Sequence, residues 1–153
     1  MPATFLKGDL FETKDIRAYA HGCNCAGAMD AGISIAFKKR WPAMFEEYAA
    51  RCADGRLHLG DVLMWTDGET TIYNLAIQQH WKTRSKLAAL TRALHKMVQM
   101  AEQAGIVRVG LPRMGAALGA PDARRVKSIV EGIGAQTSVE LVVFEQFVRA
   151  ASA

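Results

Sequence analysis

Short runs of apolar and β-branched residues alternate along this chain with longer segments in which apolar residues recur every three or four positions. The clearest helical pattern runs from Leu87 to Met97, and Gly105 follows it where a helix commonly ends. Asp67-Gly68 stands between two β-rich runs and predicts a hairpin. The predicted strands cover residues 3–7, 16–21, 61–65, 71–77, 106–111 and 139–144. The predicted helices cover residues 33–39, a segment that begins at Pro42, residues 87–101 and residues 122–133.

This order of elements predicts an α/β fold. Parallel strands that are joined through helices of ten or more residues need crossover connections, and these connections place helices on both faces of the sheet. The expected architecture is a three-layer α/β/α sandwich with a mixed central sheet. The 153 residues contain no repeat, linker or low-complexity stretch, so we expect a single domain over residues 1–153.

Composition excludes several classes of protein and leaves the function open. Half of the residues are hydrophobic and 22% are charged, which is typical of a globular protein rather than a disordered or collagen-like one. The chain has no run of 18 apolar residues and no signal-peptide pattern, so we expect a cytoplasmic protein that does not bind a membrane. The net charge of +4 suggests an anionic partner of unspecified kind.

Three cysteines bear on metal and redox chemistry. Cys23 and Cys25 are separated by one residue, which is closer than in the usual CxxC pairs of zinc and redox sites, and Cys52 is the third. No second cluster in the sequence completes a tetrahedral metal site. We therefore expect no bound metal, and we expect three free thiols in a reducing compartment.

Two glycine-containing loops, residues 21–32 and 112–119, each follow a predicted strand and precede a predicted helix. In open α/β sheets, ligands bind beyond the carboxyl ends of the strands, and backbone N–H groups at the start of a helix can hold a phosphate. Glycine also serves any tight turn from a strand to a helix, so one such loop alone indicates little. Two loops of this kind in one small domain favour a diphosphate ligand. Neither is a P-loop, and the first contains no GxGxxG pattern.

Five segments of the chain resemble the macrodomain family. They are Gly8-Asp9-Leu10 and residues 20–25, 29–33, 37–39 and 111–119. These segments occur in the order and spacing of the family, and the resemblance extends over residues 5–144. The sequence is most similar to the branch that contains terminal ADP-ribose protein glycohydrolase, the macrodomain antitoxins that remove ADP-ribose from DNA, and the yeast ADP-ribose-1″-phosphate phosphatase.

The resemblance implies a cleft for ADP-ribose. Asp9 would accept a hydrogen bond from the adenine amino group, the Leu10 amide would contact a ring nitrogen, and Phe144 would lie against the adenine. A turn-capping role is the alternative for Asp9, core packing is the alternative for Phe144, and a solvated side chain is the alternative for a charge-donating Arg113. The other residues that the resemblance assigns to ligand binding are Asn24, Met29, Ala31, Gly32 and Ile33 in the first loop, and Met114, Gly115, Ala116, Ala117, Leu118 and Gly119 in the second loop, which would wrap the pyrophosphate.

Two departures from the family pattern concern catalysis. The glycohydrolase branch has a lysine that attacks the distal ribose and an aspartate that assists it, and here Gln78 and Gly119 stand in their places. An amide forms no Schiff base and glycine moves no proton, so both replacements argue against the lysine mechanism. A histidine at a strand end is also commonly a hydrogen-bonded structural residue. The remaining catalytic candidates are Asn24 as an orienting group, Asp30 as a holder of water, and His21 or His80 as an acid or base near neutrality.

The basic residues before and within the third predicted helix admit two interpretations. They form either a solvated helix face or a contact with a nucleic acid or a modified polymer, and they are Lys82, Arg84, Lys86, Arg92 and Lys96, besides the run Lys38-Lys39-Arg40 in the first predicted helix and after it. No interleaved set of aromatic residues supports the contact with nucleic acid. The three tryptophans are scattered and are expected to be packed: Trp41, Trp65 and Trp81.

Three functional hypotheses follow from the sequence. The first is an enzyme that hydrolyses the distal linkage of an ADP-ribosyl adduct, either an ester on protein or the phosphate of ADP-ribose-1″-phosphate. The second is a non-catalytic module that binds ADP-ribose or a related nucleotide. The third is removal of ADP-ribose from nucleic acid. The expected partners are accordingly ADP-ribose, ADP-ribosylated protein and ADP-ribosylated nucleic acid, and no cofactor is expected besides ADP-ribose itself as ligand or product.

Overall fold

The computed structural model describes residues 3–114 and 120–147 of the chain, without the side chains of residues 120, 121, 123, 146 and 147. Each predicted strand and helix corresponds to an observed element whose ends differ from the prediction by at most three residues. Within the described ranges, no helix has the length and apolar character needed to cross a membrane. The elements are β1 (Thr4–Gly8), a 3₁₀ turn (Leu10–Glu12), β2 (Ala18–Asn24), α1 (Ser34–Arg40), α2 (Pro42–Ala53), β3 (Val62–Thr66), β4 (Thr71–Gln78), α3 (Leu87–Gln103), β5 (Arg108–Pro112), α4 (Ala120–Ala135) and β6 (Glu140–Phe147).

The strands form one mixed sheet in the order β1-β6-β5-β2-β4-β3. β3 pairs antiparallel with β4, whereas the other neighbouring strands run parallel. The predicted hairpin joins β3 to β4, and the Oδ1 atom of Asp67 stabilises its turn by accepting hydrogen bonds from the backbone N–H groups of Glu69 and Thr70 at 2.9 and 2.7 Å. The mixed central sheet predicted from the sequence is confirmed.

The side chains of the central strands alternate between two apolar cores. On β4, Tyr73 and Leu75 belong to one core, and Ile72 and Ala76 belong to the other. This alternation is the period-2 geometry of a strand with both faces covered. The first core contains buried residues of α3 and α4, and the second contains buried residues of α1 and α2. Helices therefore cover both faces of the sheet, which confirms the three-layer α/β/α architecture.

The carboxyl ends of three neighbouring strands meet at one edge of the sheet. β2 ends at Asn24, β4 ends at Gln78, and β5 ends at Pro112. Asn24 and Gln78 are paired in register, after an irregularity that shifts the β2–β4 pairing between Cys23 and Asn24. Because parallel strands place their carboxyl ends together, the loops that follow these strands surround the same space.

Candidate functional site

A cleft made of two adjoining cavities lies at the carboxyl edge of the sheet. The first cavity has a volume of about 440 Å³ and the second of about 530 Å³. Four residues line both cavities: Gly22, Ala31, Ser34 and Gln78. The first cavity is also lined by Gly32, Ile33, Arg113, Met114 and Phe144, and the second by Asn24, Met29, Asp30 and Trp81. The structure thus brings residues of both predicted ends of the site to one cleft.

Gly22 forms part of the wall that the two cavities share. A Cβ atom at this position would collide with the side chain of Ile77 on the neighbouring strand β4, and it would lie 4.0 Å from the Sδ atom of Met114. Ile77 and Met114 are themselves buried in the core under the cleft. A glycine is therefore needed here, because a side chain would collide with Ile77 and narrow the cleft.

The turn before α1 presents unpaired backbone donors to the first cavity. Gly32 adopts a left-handed conformation with φ of +61°, and α1 begins two residues later at Ser34. Within the described part of the chain, the N–H groups of Gly32, Ile33 and Ser34 donate to no acceptor. Gly32 is exposed, and Ile33 and Ser34 are partly exposed at the same cavity. Such unpaired amides at the start of a helix attract anions.

His21 is a structural residue, which corrects the expectation that it acts as an acid or base near neutrality. Its side chain is fully buried, and burial lowers its pKa to about 4, so the imidazole is neutral at physiological pH. The ring stacks on Phe37 at 4.0 Å between centroids. Nε2 donates to Oδ1 of Asn74 at 2.6 Å, and Nδ1 therefore accepts from Oγ of Ser34 at 3.1 Å. His21 thus positions the first residue of α1.

The side chain of Asn24 stabilises the loop that follows β2. Its Oδ1 atom accepts hydrogen bonds from the backbone N–H groups of Ala26 at 2.9 Å and Ala28 at 3.3 Å, and from the hydroxyl of Tyr48 at 2.8 Å. Its Nδ2 atom donates to the carbonyl of Ala28 at 2.9 Å. The carbonyl oxygen of the side chain is thus engaged within the protein, and the second N–H of the amide is the group left to contact a ligand. The orienting role of Asn24 stays a prediction.

The two residues that follow in this loop differ in exposure. Met29 is buried, so it offers mainly its backbone to the second cavity. The side chain of Asp30 is 75% exposed at the rim of that cavity, and its Oδ1 atom lies 3.4 Å from Nζ of Lys38. Asp30 is therefore the carboxylate that the second cavity presents to a ligand or a water molecule.

The residues expected at the adenine end combine structural roles with a place near the first cavity. Oδ1 of Asp9 accepts from the N–H of Phe11 at 3.0 Å and caps the 3₁₀ turn, and the side chain of Leu10 is fully buried. Phe144 packs in the core and also lines the first cavity. Its Cε2 atom lies 3.6 Å from the position of a Cβ on Gly8, so the aromatic ring and the Gly8-Asp9-Leu10 segment are neighbours.

The second glycine-containing loop is described only at its start. Arg113 is exposed beside the first cavity, and its backbone N–H donates to the carbonyl of Phe144 at 3.1 Å. The next residue, Met114, is buried. The predictions for Gly115, Ala116, Ala117, Leu118 and Gly119 lie outside the described residues.

The loop after β4 carries a residue that the sequence reasoning missed. Gln78 stands at the end of β4, and its Nε2 atom donates to the carbonyl of Thr83. Trp81, which was expected to be packed, is 53% exposed at the rim of the second cavity, and its ring stacks against His80 at 3.7 Å. The available signal was the place of this tryptophan directly after a strand that ends at the cleft.

Among the described residues, no group of three or more His, Cys, Asp or Glu side chains could hold a metal ion.

Comparisons with known proteins agree with this architecture. The sequence model of the Macro domain family, described as "Macro domain", matches residues 20–130. A protein named DNA ADP-ribosyl glycohydrolase from Mycobacterium tuberculosis is 30% identical over 146 residues, which are 92% of this chain and 41% of that protein. The chain thus spans about two fifths of the length of this relative. The solved macrodomain of Mycobacterium tuberculosis DarG superposes with a TM-score of 0.82 at 27% identity, and the match covers 98% of this chain and 99% of that one.

A shorter match reaches a second named activity. A protein named ADP-ribose 1''-phosphate phosphatase from Aspergillus clavatus is 47% identical over 49 residues, which are 32% of this chain and 25% of that protein.

Proposed function

The chain belongs to the macrodomain family, and we propose that its cleft binds ADP-ribose and that the protein hydrolyses the bond at the distal ribose of an ADP-ribosyl adduct. The observation that carries the proposal is that Gly32, Ile33 and Ser34 line the first cavity and that their backbone N–H groups donate to no acceptor in the described part of the chain. A diphosphate supplies the acceptors that these donors need, and it requires no cation to be held there.

The cleft offers different surroundings to the three parts of ADP-ribose. Phe144 lines the first cavity and its ring neighbours Gly8, which precedes the Asp9 turn, so we assign the adenine to this end of the cavity. The three unpaired amides and the exposed guanidinium of Arg113 suit the diphosphate. The second cavity, with Asn24 and Asp30 on its wall, takes the distal ribose and the bond to be cleaved.

The names of the relatives support hydrolysis at the distal ribose. DNA ADP-ribosyl glycohydrolase and ADP-ribose 1''-phosphate phosphatase both denote the release of a group from this sugar. Because Gln78 cannot form a Schiff base, we assign a direct attack by water. The water oxygen forms a bond to C1″, the bond from C1″ to the leaving group breaks, and the water proton ends on the leaving group. Asp30 orients that water and accepts its proton in transit.

Two measurements test this proposal. Calorimetry with ADP-ribose should give saturable binding, and the single substitution Gly22→Val in the wall of the cleft should abolish it. Incubation with an ADP-ribosylated oligonucleotide, with mono-ADP-ribosylated protein and with ADP-ribose-1″-phosphate should release ADP-ribose from at least one of them. Absence of binding at millimolar ADP-ribose would refute the whole proposal.

A non-catalytic binding module is the second candidate function, and the replacement of the family's lysine by Gln78 favours it. The two functions differ in one result. If ADP-ribose binds but all three substrates survive an excess of protein, the binding module is correct and the hydrolase is not.

We further propose a cytoplasmic location and ADP-ribosylated macromolecules as partners. The three cysteines are free, and two of them are buried. Unpaired thiols support a reducing compartment.

A further inference from the structure

We propose that Trp81 is a specificity-determining residue that stacks on the nucleobase to which ADP-ribose is attached, and that Lys82 and Arg84 contact the phosphates of the same single strand. The inference rests on the proposed function, because it assigns the acceptor side of the cleft in which the ADP-ribosyl group lies. It adds the residues that would select a single-stranded nucleic acid as the acceptor.

Trp81 lies on the acceptor side of the cleft. It lines the second cavity together with Asn24 and Asp30, and it does not line the first cavity, where Phe144 lies. When the adenine of ADP-ribose lies near Phe144, the distal ribose lies in the second cavity. The acceptor attached to C1″ then leaves the cleft beside Trp81.

The indole of Trp81 has a surface available for stacking. The imidazole of His80 stacks against the indole with 3.7 Å between centroids and 30° between ring planes. The side chain of Trp81 is nevertheless 53% exposed, so it remains available to a second flat ring. Stacking on a nucleobase covers such an exposed aromatic surface and does not depend on the identity of the base.

Hydrogen bonds within the loop hold the stacked pair of His80 and Trp81 in place. The backbone N–H of Lys82 donates to Nδ1 of His80 at 3.2 Å, and the hydroxyl of Thr83 donates to the carbonyl of His80 at 2.9 Å. Gln78 ties the same loop to the end of β4 through the carbonyl of Thr83. The stacked pair is therefore held at the rim, and binding does not have to order it.

The segment that contains Trp81 is positively charged. Between Glu69 and Glu102 the sequence contains no acidic residue and five lysines or arginines. Lys82 and Arg84 follow Trp81 directly in the exposed part of this stretch, and neither forms an ion pair with a carboxylate of the described chain. Unpaired cations beside an exposed indole match the backbone and bases of a single strand.

The test compares Trp81→Ala and Trp81→Phe with the unchanged protein. The probes are free ADP-ribose and a single-stranded DNA oligonucleotide that carries ADP-ribose on one base. Trp81→Ala should weaken binding of the modified oligonucleotide about 5- to 150-fold more than it weakens binding of free ADP-ribose. Trp81→Phe should keep most of the affinity because it retains an aromatic face. Quenching of tryptophan fluorescence by the oligonucleotide should be reduced in both variants.

The cationic part has its own matched pair of variants. Lys82→Ala/Arg84→Ala should reduce the slope of log affinity against log salt by about 1.4, since each phosphate contact on a single strand contributes about 0.7. Lys14→Ala/Arg17→Ala removes two exposed charges that precede β2, at the end of this strand away from the cleft, and should leave the slope unchanged.

The outcomes separate this inference from the proposed function. If the unchanged protein fails to bind ADP-ribose, both the proposed function and this inference are wrong. If ADP-ribose binds but Trp81→Ala binds the modified oligonucleotide as tightly as the unchanged protein does, the inference alone is overturned. It is also overturned if Trp81→Ala loses affinity for mono-ADP-ribosylated protein instead, because the surface then receives a protein acceptor.

Discussion

Replacing Gly22 by alanine tests whether the shared wall of the cleft depends on the absence of a side chain. The backbone of Gly22 is not in the left-handed region, so the substitution acts through the added methyl group, which collides with the end of the Ile77 side chain. Ile77 is only 7% exposed and packs against the core below, so it cannot move away freely. Overpacking of this kind costs about 2 kcal/mol of unfolding free energy. The methyl group also enters the wall of both cavities and should weaken ADP-ribose binding at least fivefold.

A double-mutant cycle with Ile77→Val identifies the collision as the cause. Valine lacks the Cδ1 atom that comes closest to the new methyl group, and Ile77→Val alone should cost about 1 kcal/mol. Urea denaturation of the double variant should give a loss at least 1 kcal/mol smaller than the sum of the single losses. Additive losses within about 0.5 kcal/mol would refute the reasoning.

Gly132→Ala serves as the control for this cycle. Nothing lies within 4 Å of a Cβ at this exposed position of α4. Because alanine favours a helix over glycine, this substitution should stabilise the protein by about 0.5–1 kcal/mol. A destabilisation here would mean that added methyl groups harm this protein for a reason other than collision.

Three further substitutions test single residues of the site. The pKa of His21 is lowered to about 4 in the folded protein, so the stability that its neutral form contributes is present above pH 6.5 and is lost as the pH falls towards 4. His21→Gln should therefore reduce the difference in unfolding free energy between pH 7 and pH 4 by about 3 kcal/mol, as measured by urea denaturation. An unchanged difference would contradict the assignment. Asp9→Ala should weaken ADP-ribose binding by roughly 1–3 kcal/mol in calorimetry, and equal affinity would place Asp9 outside the site. Asp30→Asn should lower the hydrolysis rate about 100-fold without changing ADP-ribose affinity, and full activity would exclude it as the residue that holds the water.

The sequence predicted the elements well where the signal was local. The Asp67-Gly68 turn between two β-rich runs became the β3–β4 hairpin, and the 87–101 periodicity became α3. The end of β2 was predicted too early, at residue 21, because the residues that follow have the composition of a loop. Pairing with β4 extends the strand to Asn24, and this pairing is a tertiary interaction that no local pattern contains.

The roles of individual polar residues were harder to predict because their partners are distant in sequence. His21 bonds to Asn74, 53 positions away, and Asn24 bonds to Tyr48, 24 positions away. Either residue in isolation looks like a free catalytic group at the end of a strand. The exposure of Trp81 was missed for the opposite reason, since hydrophobic character favours packing and only the surrounding structure shows that Trp81 stays 53% exposed beside His80.

A series of hydrogen-bonded polar side chains connects the first residue of α1, at the cleft, to the edge strand β3. Ser34 bonds to His21, His21 bonds to Asn74, and Nδ2 of Asn74 donates to the carbonyl of Leu63 on the edge strand β3 at 3.1 Å. With only seven residues, α1 is too short to be stable on its own. The edge hairpin and the turn before α1 should therefore open together in hydrogen exchange, so that a ligand held at the turn slows exchange of amide protons on β3.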